Sequence, residues 1–162
     1  MTCPNCGAPM RLRSGQDCFI CDYCASVHVP EANDEGIRVF DEPAEFACPI
    51  CATALVHATS AGQRMLYCKH CHGMLISMDV FPEIVQDLKS HRENSAYVAR
   101  PFDARDLNRR IQCPRCGRSM DTHLYGGGGN VIIDDCENCA LNWLDHGELD
   151  RIVRAPDREY AS

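Results

Sequence analysis

The chain has no run of 18 apolar residues, so nothing in it reads as a transmembrane helix. Residues 1 to 20 contain no basic stretch followed by an apolar one, so no secretory signal peptide is visible, and a cytoplasmic location is expected. Excess positive charge is also missing: 16 Lys and Arg stand against 23 Asp and Glu, a formal net charge of -7. A protein that neutralises nucleic-acid phosphates ordinarily presents a basic surface, so the overall balance disfavours that partner. No histidine stands in a recognised pairing with a nucleophile or acid; His28, His57, His70, His72, His91, His123 and His146 are scattered. An enzyme is therefore not expected.

Cysteine is abundant instead. Twelve of the 13 cysteines form six C-x2-C pairs, and the pairs group into three units. Cys3 and Cys6 go with Cys21 and Cys24, Cys48 and Cys51 with Cys68 and Cys71, and Cys113 and Cys116 with Cys136 and Cys139. In every unit the stretch between the two pairs is close to the spacing of a zinc site built on one β-hairpin. Two cysteines three apart in a tight turn can aim both sulfurs at one ion, and a second such turn brought alongside by a hairpin completes a tetrahedron. The first turns read Cys3-Pro4-Asn5-Cys6-Gly7, Cys48-Pro49-Ile50-Cys51-Ala52 and Cys113-Pro114-Arg115-Cys116-Gly117. Proline fixes φ for such a turn and glycine accepts a left-handed conformation after it.

Soft thiolates in a closed shell of four favour zinc, or iron as in a rubredoxin, over oxygen-seeking ions. Zinc is the commoner use of this spacing, giving an expected three Zn2+ per chain. A disulfide framework would require an oxidising compartment, and a thioredoxin-like redox motif would require a single C-x-x-C beside a βαβ unit, which is absent. His70 and His72 flank Cys71 and could swap in as ligands, although four cysteines already complete that set. Cys18, the thirteenth cysteine, sits three residues before Cys21 at an apolar position, where a buried unpaired thiol is expected rather than an extra ligand or redox sensor.

Each repeated unit is too small to bury a sufficient core unaided, so metal must supply folding energy to it. The expected architecture is three tandem zinc ribbons, β-hairpins carrying paired knuckles, with short helices after the second and third. The units read as ribbon 1 (1–30), an acidic linker (31–47), ribbon 2 with its helix (48–91), a basic linker (92–112), ribbon 3 with its helix (113–155) and a tail (156–162).

In ribbon 3, Met120, Thr122 and Leu124 alternate with Asp121, His123 and Tyr125, Gly126 to Asn130 break the pattern, and Val131 to Asp135 resume it. The four glycines lack a following Lys-Ser/Thr and a helix start, so they read as a loop rather than an anion cradle. Asp145 and Glu148 have the spacing of a capping box, with Leu149, Ile152 and Val153 on one helical face. Phe81, Ile84, Val85 and Leu88 form a longer version in ribbon 2, with Pro82 near the helix start. Val27-His28-Val29-Pro30 reads as a strand with no helix behind it.

Cys113-Pro114-Arg115-Cys116-Gly117, Met120, Asp134, Cys136, Cys139, Trp143-Leu144-Asp145 and Gly147-Glu148-Leu149 resemble the bacterial zinc-ribbon family named after the transcription factor TFIIB finger. That family's pattern is CPxC, a hairpin, then D-x-C-x-x-C-x-G-x-W-L-D-x-G-E-L. Here Leu141 replaces the glycine; ribbon 2 keeps it as Gly73 but has Leu75-Ile76-Ser77 for Trp-Leu-Asp. The resemblance implies zinc binding and a ribbon fold, and little about activity.

With three zinc ions on twelve thiolates the net charge becomes roughly -13. Residues 31 to 47 hold Glu31, Asp34, Glu35, Asp41, Glu42 and Glu45 against Arg38 alone, which suggests a solvated linker. Residues 89 to 112 hold Lys89, Arg92, Arg100, Arg105, Arg109 and Arg110 against three acids, the only plausible contact for nucleic acid or an acidic protein. The expected function is a zinc-binding, non-enzymatic scaffold or adaptor that binds another protein, with a nucleic-acid-associated regulator using 89–112 as the alternative.

Overall fold

The computed structural model describes residues 2–13, 18–91, 101, 104–125 and 130–155. The tail at 156–162, the glycines at 126–129 and Arg92 and Arg100 lie outside the described residues. Ten strands and three short helices are described, arranged as one three-stranded and one seven-stranded sheet.

The first unit carries β1 (Met10–Leu12), β2 (Phe19–Cys21) and β3 (Val27–His28), antiparallel in that order. Its core is small: Cys3, Met10, Phe19 and Cys21, completed by Phe40 from outside the unit. The Phe19 and Phe40 rings meet edge to face with centroids 4.9 Å apart, a favoured aromatic geometry.

Phe40 belongs to β4 (Arg38–Ala47), and here the structure corrects the reading of 31–47 as a solvated linker. The acidic count hid an alternation, because Asp41, Pro43 and Glu45 face solvent while Phe40 is buried and Glu42, Ala44 and Phe46 are half-buried; Ile37, just before the strand, is buried as well. β4 pairs with β5 (Ala54–Ser60) through two register shifts, one on each side of Pro43. Proline is tolerated because β4 lies at the edge of the sheet, where the ladder on one side is not required.

Units two and three share the seven-stranded sheet. The second contributes β5, β6 (Gln63–Tyr67), β7 (Met74–Ser77) and α1 (Phe81–Ser90); the third contributes β8 (Asp121–Leu124), β9 (Ile132–Cys136), β10 (Leu141–Leu144) and α3 (Glu148–Arg154). A short α2 (Ala104–Asn108) lies between them, and the strand order is β4-β5-β6-β7-β10-β9-β8. The centre is the antiparallel pair β7 and β10, in which Leu75 faces Trp143.

That register has a meaning in the sequence. The shift along the chain that carries Cys68 onto Cys136 and Cys71 onto Cys139 also carries Leu75 onto Trp143. Leu75 therefore faces its own equivalent, and the flanking pairs are reciprocal, Met74 with Leu144 and Ile76 with Asn142, so a pseudo-twofold axis passes through the Leu75 and Trp143 pair. The two ribbons meet as the halves of an isologous dimer do, in one chain. The same shift relates Phe81, Ile84 and Val85 of α1 to Leu149, Ile152 and Val153 of α3, and all six are buried in one cluster. Lys89 Nζ donates to Ala155 O at 2.8 Å, placing a cation at the C-terminal end of α3 where the helix dipole favours it.

Two local expectations change. Leu124 is exposed although it alternates in step with the buried Met120, because β8 is the other sheet edge and along it only Thr122 is even half-buried. Asp145 does not cap α3 with its side chain: the N-cap is Gly147, at φ 84°. The reciprocal half of the box does form, with the Asp145 N–H donating to Glu148 Oε2 at 2.7 Å.

Candidate metal centres

The knuckles follow from local backbone chemistry. After the second cysteine of each pair stand Gly7, Ala25, Ala52, His72, Gly117 and Ala140, and all six have positive φ, between 55° and 77°. In five of them the N–H of this residue returns to the carbonyl of the first cysteine at 2.8–2.9 Å, closing a turn that presents both sulfurs on one side. N–H groups are left pointing at sulfur: Ile50 and Cys51 donate to Cys48 Sγ at 3.4 and 3.3 Å, and Cys71 to Cys68 Sγ at 3.5 Å. Such donors stabilise a thiolate.

Each expected set of four assembles. The sulfurs of Cys3, Cys6, Cys21 and Cys24 lie within 4.8 Å of one another, as do those of Cys48, Cys51, Cys68 and Cys71 and those of Cys113, Cys116, Cys136 and Cys139. Individual sulfur pairs are 3.6 Å apart for Cys3 and Cys24, 3.5 Å for Cys6 and Cys21, 3.7 Å for Cys48 and Cys71, and 3.6 Å for Cys116 and Cys136. A zinc ion bonded at about 2.3 Å to four sulfurs at tetrahedral angles requires an edge of about 3.8 Å. The donor sets fit zinc in number, chemistry and spacing, and the protein carries three Zn2+ sites.

Acidity within each set points the same way. The Ser26 hydroxyl, 3.0 Å from Cys24 Sγ, holds that thiol down at about 5. The Ala8 backbone favours ionisation of Cys6, but Cys21 and burial outweigh it and push the thiol up to about 12. Burial raises Cys68, but the Cys71 N–H and the Thr53 hydroxyl outweigh it and leave the thiol at about 6, while burial drives Cys48 and Cys71 to about 11. In the third set the Arg118 backbone lowers Cys116 to about 7 and burial lifts Cys136 to about 12. Four packed thiols cannot all ionise without a cation between them, and a bound divalent ion removes that conflict.

Cys18 is buried and stands outside all three sets. His70 and His72 are not needed as substitutes, because four sulfurs already close the second set. Ser26 and Thr53 could not be singled out from sequence, since hydroxyls beside a knuckle carry no signal of their own.

Around the third centre the non-cysteine motif residues form one network. Asp134, 1% exposed, accepts from Thr122 Oγ1 at 2.6 Å and pairs with Arg109 at 2.6 Å. Arg109 also pairs with Asp145 at 2.7 Å, and Asp145 accepts from Trp143 Nε1 at 3.2 Å. One guanidinium thus ties the strand before the last knuckle to the turn before α3. The sequence places Arg109 in a basic linker because both of its acidic partners lie in a later part of the chain.

No curated protein and no solved structure matches the chain. Residues 112–155, which contain the third centre, its hairpin, Trp143 and α3, match the family model described as transcription factor zinc-finger, the TFIIB-type zinc ribbon.

Proposed function

We propose that this zinc-binding protein is a non-enzymatic adaptor of the cytoplasm, built from hairpin-bearing zinc ribbons, that works by binding another protein. The observation that carries this reading is the fate of the basic segment. Arg109 is turned inward onto Asp134 and Asp145, Arg110 donates to the Leu107 and Arg109 carbonyls at 2.9 and 3.0 Å, and Lys89 caps α3. Cations engaged in this way contribute little to a phosphate-binding stripe, and the net charge of -7 opposes one. Apolar residues are exposed instead on the first ribbon: Tyr23 at 87%, Val27 at 58% and Val29 at 51%. Exposed aromatic and aliphatic side chains grouped on one small unit suit a protein partner. Closed four-thiolate shells leave no coordination position for a substrate, which supports a structural role for these ions.

The test pairs two measurements on the three-zinc protein. Binding to duplex DNA at physiological salt is expected to be no tighter than about 10⁻⁴ M, the non-specific level. A partner captured from native lysate is expected to be lost when Tyr23, Val27 and Val29 are changed together to serine. Sub-micromolar, salt-dependent DNA binding that weakens in Arg105→Ala would replace this reading with a nucleic-acid-associated regulator.

A further inference from the structure

Four side chains outside the thiolate sets converge from four separate segments: Glu35 from the turn before β4, Tyr67 from the end of β6, His72 from a knuckle of ribbon 2, and His146 from the turn before α3. His72 Nδ1 lies 2.8 Å from the Tyr67 hydroxyl, and His146 Nδ1 lies 3.0 Å from Glu35 Oε1. Glu35 is held by a second bond, from the Gly147 N–H to Oε1 at 3.1 Å, and its side chain is 7% exposed. Its other oxygen, Oε2, is buried with no partner among the described residues. The two imidazoles themselves are exposed, with ring centroids 5.3 Å apart and planes inclined at 54°.

This is the arrangement of a metal site seen from its outer shell. An imidazole that ligates through Nε2 ordinarily gives its Nδ1–H to a carboxylate or another oxygen, which fixes the tautomer and aims the ring. Both rings have that anchor here, and among the described residues neither Nε2 has a hydrogen-bond partner. Metal to nitrogen bonds of about 2.0–2.1 Å at a tetrahedral angle place two imidazole centres about 5 Å apart, matching the observed separation. The backbone supplies a further sign. At the five other knuckles the left-handed residue is glycine or alanine, whereas here it is His72, at φ 62°. A non-glycine residue is uncommon in that conformation, histidine being one of the few side chains that enter it more readily, and such positions cluster at functional sites.

We propose that His72 and His146 bind one divalent transition-metal ion through their Nε2 atoms, with Tyr67 and Glu35 orienting the two rings. The ion is of the borderline class that imidazole prefers, Zn2+, Ni2+ or Cu2+. Water fills the remaining positions, so this site is open and exchangeable where the thiolate sets are closed. It joins ribbon 2 to ribbon 3 across the pseudo-twofold axis, and the carboxylate that supports it comes from the segment leading out of ribbon 1.

The experiment titrates Ni2+ into the three-zinc protein by calorimetry and measures zinc content and Trp143 emission afterwards. One equivalent of Ni2+ is expected to bind without release of zinc. Glu35→Gln is expected to weaken this binding about 10–100-fold. His146→Ala and His72→Gly are each expected to abolish it while all three zinc ions remain; glycine is chosen at 72 because it already occupies the equivalent position as Gly7 and Gly117. Should His72→Gly lose zinc, His146→Ala alone decides. Absence of uptake at millimolar Ni2+, uptake matched by zinc release, persistence in His146→Ala, or loss in His70→Ala overturns the proposal.

Discussion

Trp143 covers Gly73: a Cβ added at Gly73 would stand 2.9 Å from Cη2 of the indole and closer still to Cζ2. The two residues belong to different ribbons, and their contact accounts for an exchange visible in both sequences. Ribbon 2 has Gly73 and Leu75 at the positions where ribbon 3 has Leu141 and Trp143. The large indole is accommodated by the missing side chain at 73, and the smaller Leu75 goes with a leucine at 141. Leu75, Trp143 and Leu141 all pack in the cluster that covers the second and third metal centres. Gly73→Ala should therefore destabilise the zinc-loaded protein by about 1–3 kcal/mol, the usual cost of overpacking a filled core. In a Trp143→Leu background the same substitution should cost much less. Equal costs in both backgrounds, measured by denaturant unfolding, would show that the indole does not set the requirement for glycine.

Metal analysis of protein purified without added metal should give three zinc ions per chain, and Cys18→Ser should leave that number unchanged, since Cys18 stands outside every set. Cys21→Ser should lower it to two. Loss of zinc in the Cys18 variant would mean that one of the sets is wrongly composed.

Release under a graded chelator should occur in two stages. Three independent tandem ribbons would release zinc in three steps, but Cys48, Cys68, Cys113 and Cys136 share one core cluster with Trp143, while Cys3 and Cys21 lie in another. One ion should leave first from the small first ribbon, and two should follow together. Trp143, fully buried between the coupled centres, should keep its emission until the second stage. An emission change accompanying the first equivalent would contradict this order.

Arg109→Ala would leave Asp134 buried and short of its cation, at a carboxyl that burial already pushes upward. A loss of about 3 kcal/mol is expected, typical of breaking one side of a buried pair. The Arg109→Ala, Asp134→Asn double variant should recover part of it, because the uncompensated charge is gone. Thermal unfolding of the zinc-loaded variants measures both quantities.

Burial pushes the Glu148 carboxyl up to about 8, with the nearby Asp145 adding to the shift. The folded chain therefore holds a proton here that the unfolded chain gives up at an ordinary carboxylate value. Between about 4.5 and about 8 the folded state binds more protons, so this group's contribution to stability is present at the acid end and falls as pH rises. Glu148→Gln keeps an acceptor for the Asp145 N–H and should flatten that decline. Denaturant midpoints from mildly acidic to mildly alkaline pH test it; an unchanged slope in the variant would assign the dependence to other groups.

The ligand sets were legible because a metal knuckle is a local object: two cysteines three apart, a residue tolerant of positive φ after them, and a turn closed by its own backbone. The helices α1 and α3 were legible for a related reason, since Phe81, Ile84 and Val85, or Leu149, Ile152 and Val153, record burial on one face whatever covers it. The covering was decided elsewhere. Pairing β7 with β10 depends on hydrogen bonds and side-chain volumes contributed by segments far apart along the chain, and no local pattern announces them. For the same reason Glu35 and Arg109 read as surface charges: burial of such a side chain depends on the partners that meet it, and His146 and Gly147 reach Glu35 only when the ribbons close on each other, while Asp134 and Asp145 reach Arg109 only when the third ribbon folds back on the segment before it. The sequence by itself determined where metal is held, and the tertiary structure alone decided that two of the three ribbons are one body.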